Sequence, residues 1–164
     1  MNGHPTEQDA LFMLAALEEA AQSAAIGEVP IGAVLVHEET IIARSHNFRE
    51  TWQDPTAHAE LIVIREAAKA LGRWRLIDTT LFVTLEPCAM CLGAIILARV
   101  PRLVFGAKDP KAGACGSVLD FATNPRLNHR VDVLGGILEE QSERMLTQFF
   151  KELRVHRQPD GGAA

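Results

Sequence analysis

Apolar and polar positions along the chain change period several times, and each change marks an element. Thr6 followed by Asp9 resembles a capping box, with an acid in place of the usual Glu or Gln. Leu11, Leu14, Leu17 and Ala21 then recur at helical spacing, which predicts a helix ending before Gly27. Phe12 and Met13 read as core. Ile31–Val36 is rich in β-branched residues, Glu38-Glu39-Thr40 reads as a turn, and Ile41–Ser45 completes a hairpin. Phe48–Asp54, with Trp52, reads as a loop. A second helix is predicted from about His58 to Leu71, stopped by Gly72. Leu81–Thr84 reads as a strand and Cys88–Ala98 as a helix in which Gly93, Ala94 and Ala98 permit close packing. Leu103–Phe105 is a further strand, and Gly106–Ser117 is a long Gly-rich loop. Leu119–Arg130 is irregular, with a turn at Asn124-Pro125. Val131–Leu134 is a fifth strand, ended by Gly135-Gly136, and Glu139–Val155 is a last helix. Residues 1–5 read as a loose start and 158–164 as a disordered tail. The order predicts a layered α/β domain. With no repeat and no linker in sight, residues 1–157 read as one domain.

Composition narrows the function classes. The 164 residues leave room for a sizeable core, and 48% hydrophobic with 23% charged residues is ordinary for a globular protein. No apolar run approaches the roughly 18–20 residues that span a membrane. The stretch Ala10–Leu17 follows Glu7 and Asp9 and lacks a basic flank, so it is not read as a signal peptide. Three cysteines fit a reducing cytoplasm better than a disulfide framework. The net charge of −5 argues at first sight against a nucleic-acid partner. Its distribution softens that: residues 1–60 carry ten acids and two bases, and the remainder eleven acids and fourteen bases. A basic side opposite an acidic one is compatible with RNA, and equally with a solvated surface.

Two stretches carry chemistry. Thr56-Ala57-His58-Ala59-Glu60 supplies His-x-Glu, and Glu86-Pro87-Cys88-Ala89-Met90-Cys91 supplies Pro-Cys-x-x-Cys. One imidazole and two thiolates suit tetrahedral zinc. Cys88 and Cys91 share a helix face, and a helix starting near Pro87 puts Cys88 in its first turn, where the dipole favours thiolate. His58 also lies near a helix start, so two helix ends would meet at one metal. Both motifs are expected where a strand gives way to a helix. Three protein ligands leave a fourth position for water whose pKa falls to about 7, the mark of a catalytic site. Glu60 is then the group that moves protons. A fourth ligand from Cys115 would instead close the site and make it structural. That cysteine sits in a glycine-flanked loop, where it reads more simply as a small residue. Asn47, at a strand end, can meet a base edge or merely satisfy a turn. Lys151, Arg154 and Arg157 are accounted for by the dipole of the last helix alone.

The motif pair is an established signature of zinc-dependent nucleobase deaminases, applied here to this chain. The flanking residues are more specific. Val29-Pro-Ile-Gly-Ala-Val-Leu-Val36, Asp54-Pro-Thr-Ala-His-Ala-Glu60, Arg75-Leu-Ile-Asp78, Thr84-Leu-Glu-Pro-Cys88, Val104-Phe-Gly-Ala107, Asn128-His-Arg-Val131 and Phe149-Phe150 resemble the bacterial tRNA-specific adenosine deaminases over nearly all of residues 28–150. The resemblance implies a cytidine-deaminase-like three-layer α/β/α sandwich with a five-stranded mixed sheet. It implies a cytoplasmic homodimer holding one Zn2+ per subunit and acting on a tRNA anticodon stem-loop. The implied reaction converts the wobble adenosine of an arginine tRNA to inosine. In that reaction zinc-bound hydroxide attacks C6, with a glutamate as proton shuttle and not as ligand. By position His58, Cys88 and Cys91 would be the metal ligands and Glu60 the acid/base. Asn47 would read the purine, and Val29, the Ala59 backbone and Pro87 would wall the pocket. Asp109 and Lys111 would touch nucleotides flanking the flipped base, and Phe149 would line the anticodon loop. The ending Lys151-Glu-Leu-Arg-Val155 departs from the family pattern in being less basic. Rival readings are a deaminase of guanine, cytosine or a free nucleoside, and a non-enzymatic RNA-binding zinc module.

Overall fold

The computed structural model describes residues 4–157. The first residues of the expected loose start, and the expected tail, lie outside the described residues. Thr6 caps α1 (Glu7–Ala25) through a complete capping box, its hydroxyl accepting from the Asp9 N–H and its own N–H donating to the Asp9 carboxylate. The buried face of α1 is not the leucine stripe. Leu11 and Leu14 are exposed, and Met13, Ala16, Leu17 and Ala20 face the sheet instead. Small residues win that face because β1 comes very close there: a Cβ on Gly32 would overlap the Ala16 carbonyl oxygen and the Ala20 nitrogen.

The strands are β1 (Gly32–His37), β2 (Thr40–His46), β3 (Thr79–Leu85), β4 (Arg102–Ala107) and β5 (Asp132–Leu134), in spatial order β2-β1-β3-β4-β5. β1 pairs antiparallel with β2 and β3, whereas β3–β4 and β4–β5 are parallel, so the sheet is mixed. The β1–β2 turn is Glu38-Glu39, tighter than the three-residue turn expected, with φ of 47° and 58°. Both residues occupy the left-handed region that a two-residue hairpin turn demands and that glycine or asparagine usually fills. β5 begins after Val131, whose N–H leaves the ladder to donate to the Ala122 carbonyl.

Alternation along the strands divides the core in two. Val34, Val36, Phe82 and Val104 face α1 and the start of α5 (Glu139–Arg157). Ala33, Leu35, Leu81, Val83, Leu103 and Phe105 face the other way, against Val63 of α3 (Ala59–Leu71) and Leu92 and Ile95 of α4 (Ala89–Leu97). Central strands buried on both faces are what helices on both sides of a sheet require. The result is an α/β/α sandwich. Phe48–Asp54 is more ordered than a loop, since it contains the short helix α2 (Arg49–Trp52), closed by Gln53 at φ 50°. No described helix is long and apolar enough to cross a membrane.

Two buried carboxylates tie distant segments together. Asp9 takes a two-pronged bond from Arg102 at the start of β4, at 2.8 and 3.0 Å. Burial opposes ionisation of Asp9, but the Arg102 fork and both Thr6 donors outweigh it and hold the carboxyl below its ordinary value. Glu86, between β3 and α4, accepts from the Asp109, Cys115 and Ser117 N–H groups at 3.0, 2.9 and 3.1 Å, and from the Ser117 hydroxyl. Gly113 lies so close that a Cβ would collide with that carboxylate. The segment after β4 is thus wrapped around one side chain.

Asp9→Asn is expected to cost about 2–3 kcal/mol at pH 7, because it strands a half-buried guanidinium. A depressed folded pKa stabilises above the unfolded carboxylate range, near 4, and the contribution fades as pH falls through the folded value. Urea midpoints of wild type and variant should therefore stay apart from pH 7 to about 4 and converge below it; a gap that narrows between pH 7 and 5 would rule out the carboxylate as its source. Glu86→Ala should cost about 2–4 kcal/mol by orphaning three backbone donors, against about 1 kcal/mol for Ser117→Ala. Equal losses in the two variants would mean that the loop holds itself.

Candidate active site

His58 is the N-cap of α3 and Cys88 the N-cap of α4. Cys88 therefore stands just outside the first turn rather than inside it, and Cys91 lies one turn along. Cys88 follows the β3 end after Glu86 and Pro87, as expected. His58 does not follow a strand, because α2 and a turn built on Asp54 intervene. The Asp54 carboxylate accepts the Thr56 N–H and hydroxyl, at 2.8 and 2.7 Å, and so sets the chain direction into His58.

Nδ1 of His58 lies 3.7 Å from Sγ of Cys88 and 3.5 Å from Sγ of Cys91, and the three donor atoms fall within 4.8 Å of one another. With Zn–S near 2.3 Å and Zn–N near 2.0–2.1 Å, a tetrahedral centre needs S···N separations of about 3.6 Å. The triangle fits zinc in both donor chemistry and size. Among the described residues no fourth ligand joins this group, and Cys115 is not part of it. Burial pushes the Cys115 thiol up to about 12. The Cys115 reading that closes the site has no geometric support.

The charges fit a cation. The Cys91 thiol donates toward Cys88, and with His58 on its other side Cys88 is pulled down to about 4. Cys91, which keeps that proton and is buried, is pushed up, and His58 is raised by its bond to Cys88. This is a thiolate facing an imidazole across a gap, with a proton where a metal would carry charge more effectively. Glu60 is 4% exposed and one of its oxygens, Oε2, has no hydrogen-bond partner. Burial pushes its carboxyl up to about 7 against the lowering pull of its own N–H and of His58. A buried carboxylate oxygen left unpaired is costly and uncommon in a native interior, and here it stands beside the three candidate ligands.

The other expected residues divide in two. Asn47 is buried, and its Oδ1 accepts the Arg49 N–H at 3.1 Å, so its turn role is real and its amide nitrogen remains for a ligand. Ala59 and Pro87 are buried beside the ligands, Val29 is half-buried, and the Pro87 carbonyl accepts the Ala114 N–H at 2.9 Å. Gly113 pairs with Cys88 itself, so the loop carrying Asp109 and Lys111 is brought to the metal motif. The Asp109 carboxylate, however, accepts from the Lys111 and Ala112 N–H groups and braces its own turn. Phe149 is not brought to the site within one chain. It lies on α5, in the opposite helical layer, edge-on to Phe150.

Two residues carry more of the site than their sequence context signals. Glu86 belongs to the Pro-Cys-x-x-Cys stretch, yet it organises the loop that borders Cys88. Glu28 is 1% exposed and accepts the Thr51 N–H of α2 at 2.6 Å, fixing the segment between Asn47 and His58. Its only outward signal was an acid next to an apolar strand.

Against known proteins, residues 6–154 match the model of the MafB19-like deaminases. The chain is 55% identical over 147 residues to the tRNA-specific adenosine deaminase of Bacillus subtilis (strain 168), covering 90% of this chain and 91% of that protein. A solved structure from work on A-to-I editing by tRNA:A34 deaminases at the wobble position of transfer RNA superposes with a TM-score of 0.80 at 49% identity. It covers 83% of this chain and 99% of that one. The guanine deaminase of Bacillus subtilis lies further off, with a TM-score of 0.59 at 31% identity over 94% of this chain and 96% of that one. With a His58–Cys88–Cys91 triangle of a size that suits a metal and a buried glutamate on the same sandwich, the chain belongs to the tRNA-specific adenosine deaminase family.

Proposed function

We propose that the chain, acting as one deaminase domain, hydrolyses the wobble adenosine of tRNA, an arginine tRNA first among them, to inosine and ammonia in the cytoplasm. The observation that carries this is the unpaired Glu60 carboxylate oxygen buried beside the His58–Cys88–Cys91 triangle. His58, Cys88 and Cys91 hold the zinc, which when bound supplies a water acidic enough to ionise near neutral pH. Glu60 takes the first proton of the attacking water and passes it to a purine ring nitrogen, then takes the proton of the new C6 hydroxyl and passes it to the departing amine, so that both water protons end on inosine and ammonia. Asn47 donates its amide N–H to the purine. Val29, Ala59 and Pro87 exclude bulk water and hold the ring edge-on to Glu60. Asp109 and Lys111 meet the flanking nucleotides, and Phe149 with the end of α5 lines the anticodon loop. Flanking contacts supply positioning energy that a free nucleoside lacks.

The working unit is a homodimer joined along α4. Every residue of that helix is apolar or glycine, yet Met90 is 37% and Leu97 70% exposed, and open space surrounds Gly93. A helix that is apolar all round is normally covered all round, and a second copy of the same helix is the cover that fits.

Zinc-loaded protein should convert adenosine to inosine in an anticodon stem-loop and leave free adenosine and guanine untouched. Turnover of a free base or nucleoside instead would move the chain to a metabolic substrate. Glu60→Gln should keep full zinc content and stem-loop affinity while losing about 10²–10⁴-fold in rate. Cys88→Ala or Cys91→Ala should lose zinc by elemental analysis, and Cys115→Ala should keep it. Leu97→Glu is expected to give a monomer by light scattering; an unchanged dimer would put the interface elsewhere.

A further inference from the structure

From His46 to Trp52 the chain builds a feature that the reaction does not use. His46, Phe48 and Trp52 form a ladder of rings, with centroids 4.3 and 4.4 Å apart and interplanar angles of 27° and 10°. The His46 end is buried and Phe48 is half-buried. Trp52, the last ring, is 51% exposed, as expected of an indole covered on one face and open on the other. The ladder is held firmly. Phe48 N–H donates to the Ala57 carbonyl at 3.0 Å, Trp52 N–H donates to the Phe48 carbonyl at 2.9 Å, and Glu28 fastens Thr51 from below. The outcome is a flat, half-exposed aromatic face on a rigid turn, in one segment with Asn47 and His58.

We propose that Trp52 is a stacking platform for an unpaired nucleobase next to the reacting adenosine in the bound RNA. The proposal rests on the RNA reading above and adds a subsite to it. Three observations select a base over an apolar partner. Ring separations of 4.3–4.4 Å show that the ladder is already built by parallel stacking, which another π-face extends. Arg49, one of two basic residues among the first sixty, stands on the same turn with its side chain half exposed, and among the described residues its ion pair is a long 3.9 Å contact to Glu50. It can meet the phosphate of the stacked nucleotide. Finally, Trp52 stands five residues after Asn47, the residue assigned to the purine, and six before His58, on one segment tied down at both ends.

The test uses zinc-loaded full-length protein. In a Trp74→Phe, Glu60→Gln background Trp52 is the sole tryptophan and turnover is blocked. Its fluorescence should be quenched on titration with a stem-loop, with the dissociation constant given by anisotropy of labelled RNA. With Glu60 intact, Trp52→Ala should raise KM for the stem-loop about tenfold, leave kcat within about twofold, and Trp52→Phe should restore most of the loss. An abasic nucleotide on one side of the adenosine should reproduce the KM increase in wild type and add nothing further in Trp52→Ala. Full RNA occupancy without quenching, or an unchanged KM in Trp52→Ala, overturns the proposal. A changed mass by light scattering with the same KM assigns the face to a second copy and also overturns it. If wild type neither binds nor converts the stem-loop, the RNA reading fails and takes the subsite with it.

Discussion

Two helix N-termini are brought nose to nose, and most of the structure follows from that constraint. His58 caps α3 and Cys88 caps α4, so the positive ends of both dipoles point into one small space. Neutral groups there would leave the two ends repelling. The Cys88 thiolate relieves the repulsion, and its negative charge in turn suits the space to a cation. Both helices must then lie on the same face of the sheet, and they do, on the side lined by Leu35, Leu81 and Leu103. Parallel pairing of β3 with β4 follows as well, since α4 carries the chain from one to the other across that face.

Three buried glutamates lie around this centre, and their hydrogen bonds separate their roles. Glu86 is satisfied by four donors, which leaves it nothing to give a substrate and makes it a fastener for the loop after β4. Glu28 accepts one backbone N–H at 2.6 Å and leaves its second oxygen without a partner in the interior, on the side where α2 is tied down. Glu60 has an unpaired oxygen too, and its carboxyl lies within reach of His58 and Cys91. Burial pushes the Glu60 carboxyl up to about 7, whereas the donors around Glu86 hold that carboxyl below its ordinary value.

The chemistry was legible in the sequence because it is local: His-x-Glu and Cys-x-x-Cys each span a few residues, and their helix-start contexts could be read from Pro55, Pro87 and the apolar run after each. Helix and strand order was legible for the same reason. The misses share a cause, which is that long-range partners decided them. The Leu11–Leu14 stripe lost to Met13, Ala16 and Ala20 because Gly32 lets β1 come close, a fact of pairing and not of periodicity. α2 was read as loop because four residues cannot show a period and its anchor, Glu28, is 23 residues away. Phe149 belongs to the family pattern, but the layer it occupies is fixed by α5 packing on β4 and α1, which no motif records.

The net charge needs the same correction. Four of the ten acids among the first sixty residues, Asp9, Glu19, Glu28 and Glu60, are buried. Asp9 and Glu19 are neutralised by Arg102 and Arg44. They contribute little to the field that an approaching polyanion meets. Lys108, Lys111, Arg126 and the α5 cations Lys151, Arg154 and Arg157 are all exposed and therefore act in full. A chain whose formal charge is −5 thus presents a surface less acidic than its composition. What steers a polyanion is the charge left in solvent, and folding has withdrawn mainly acids from it.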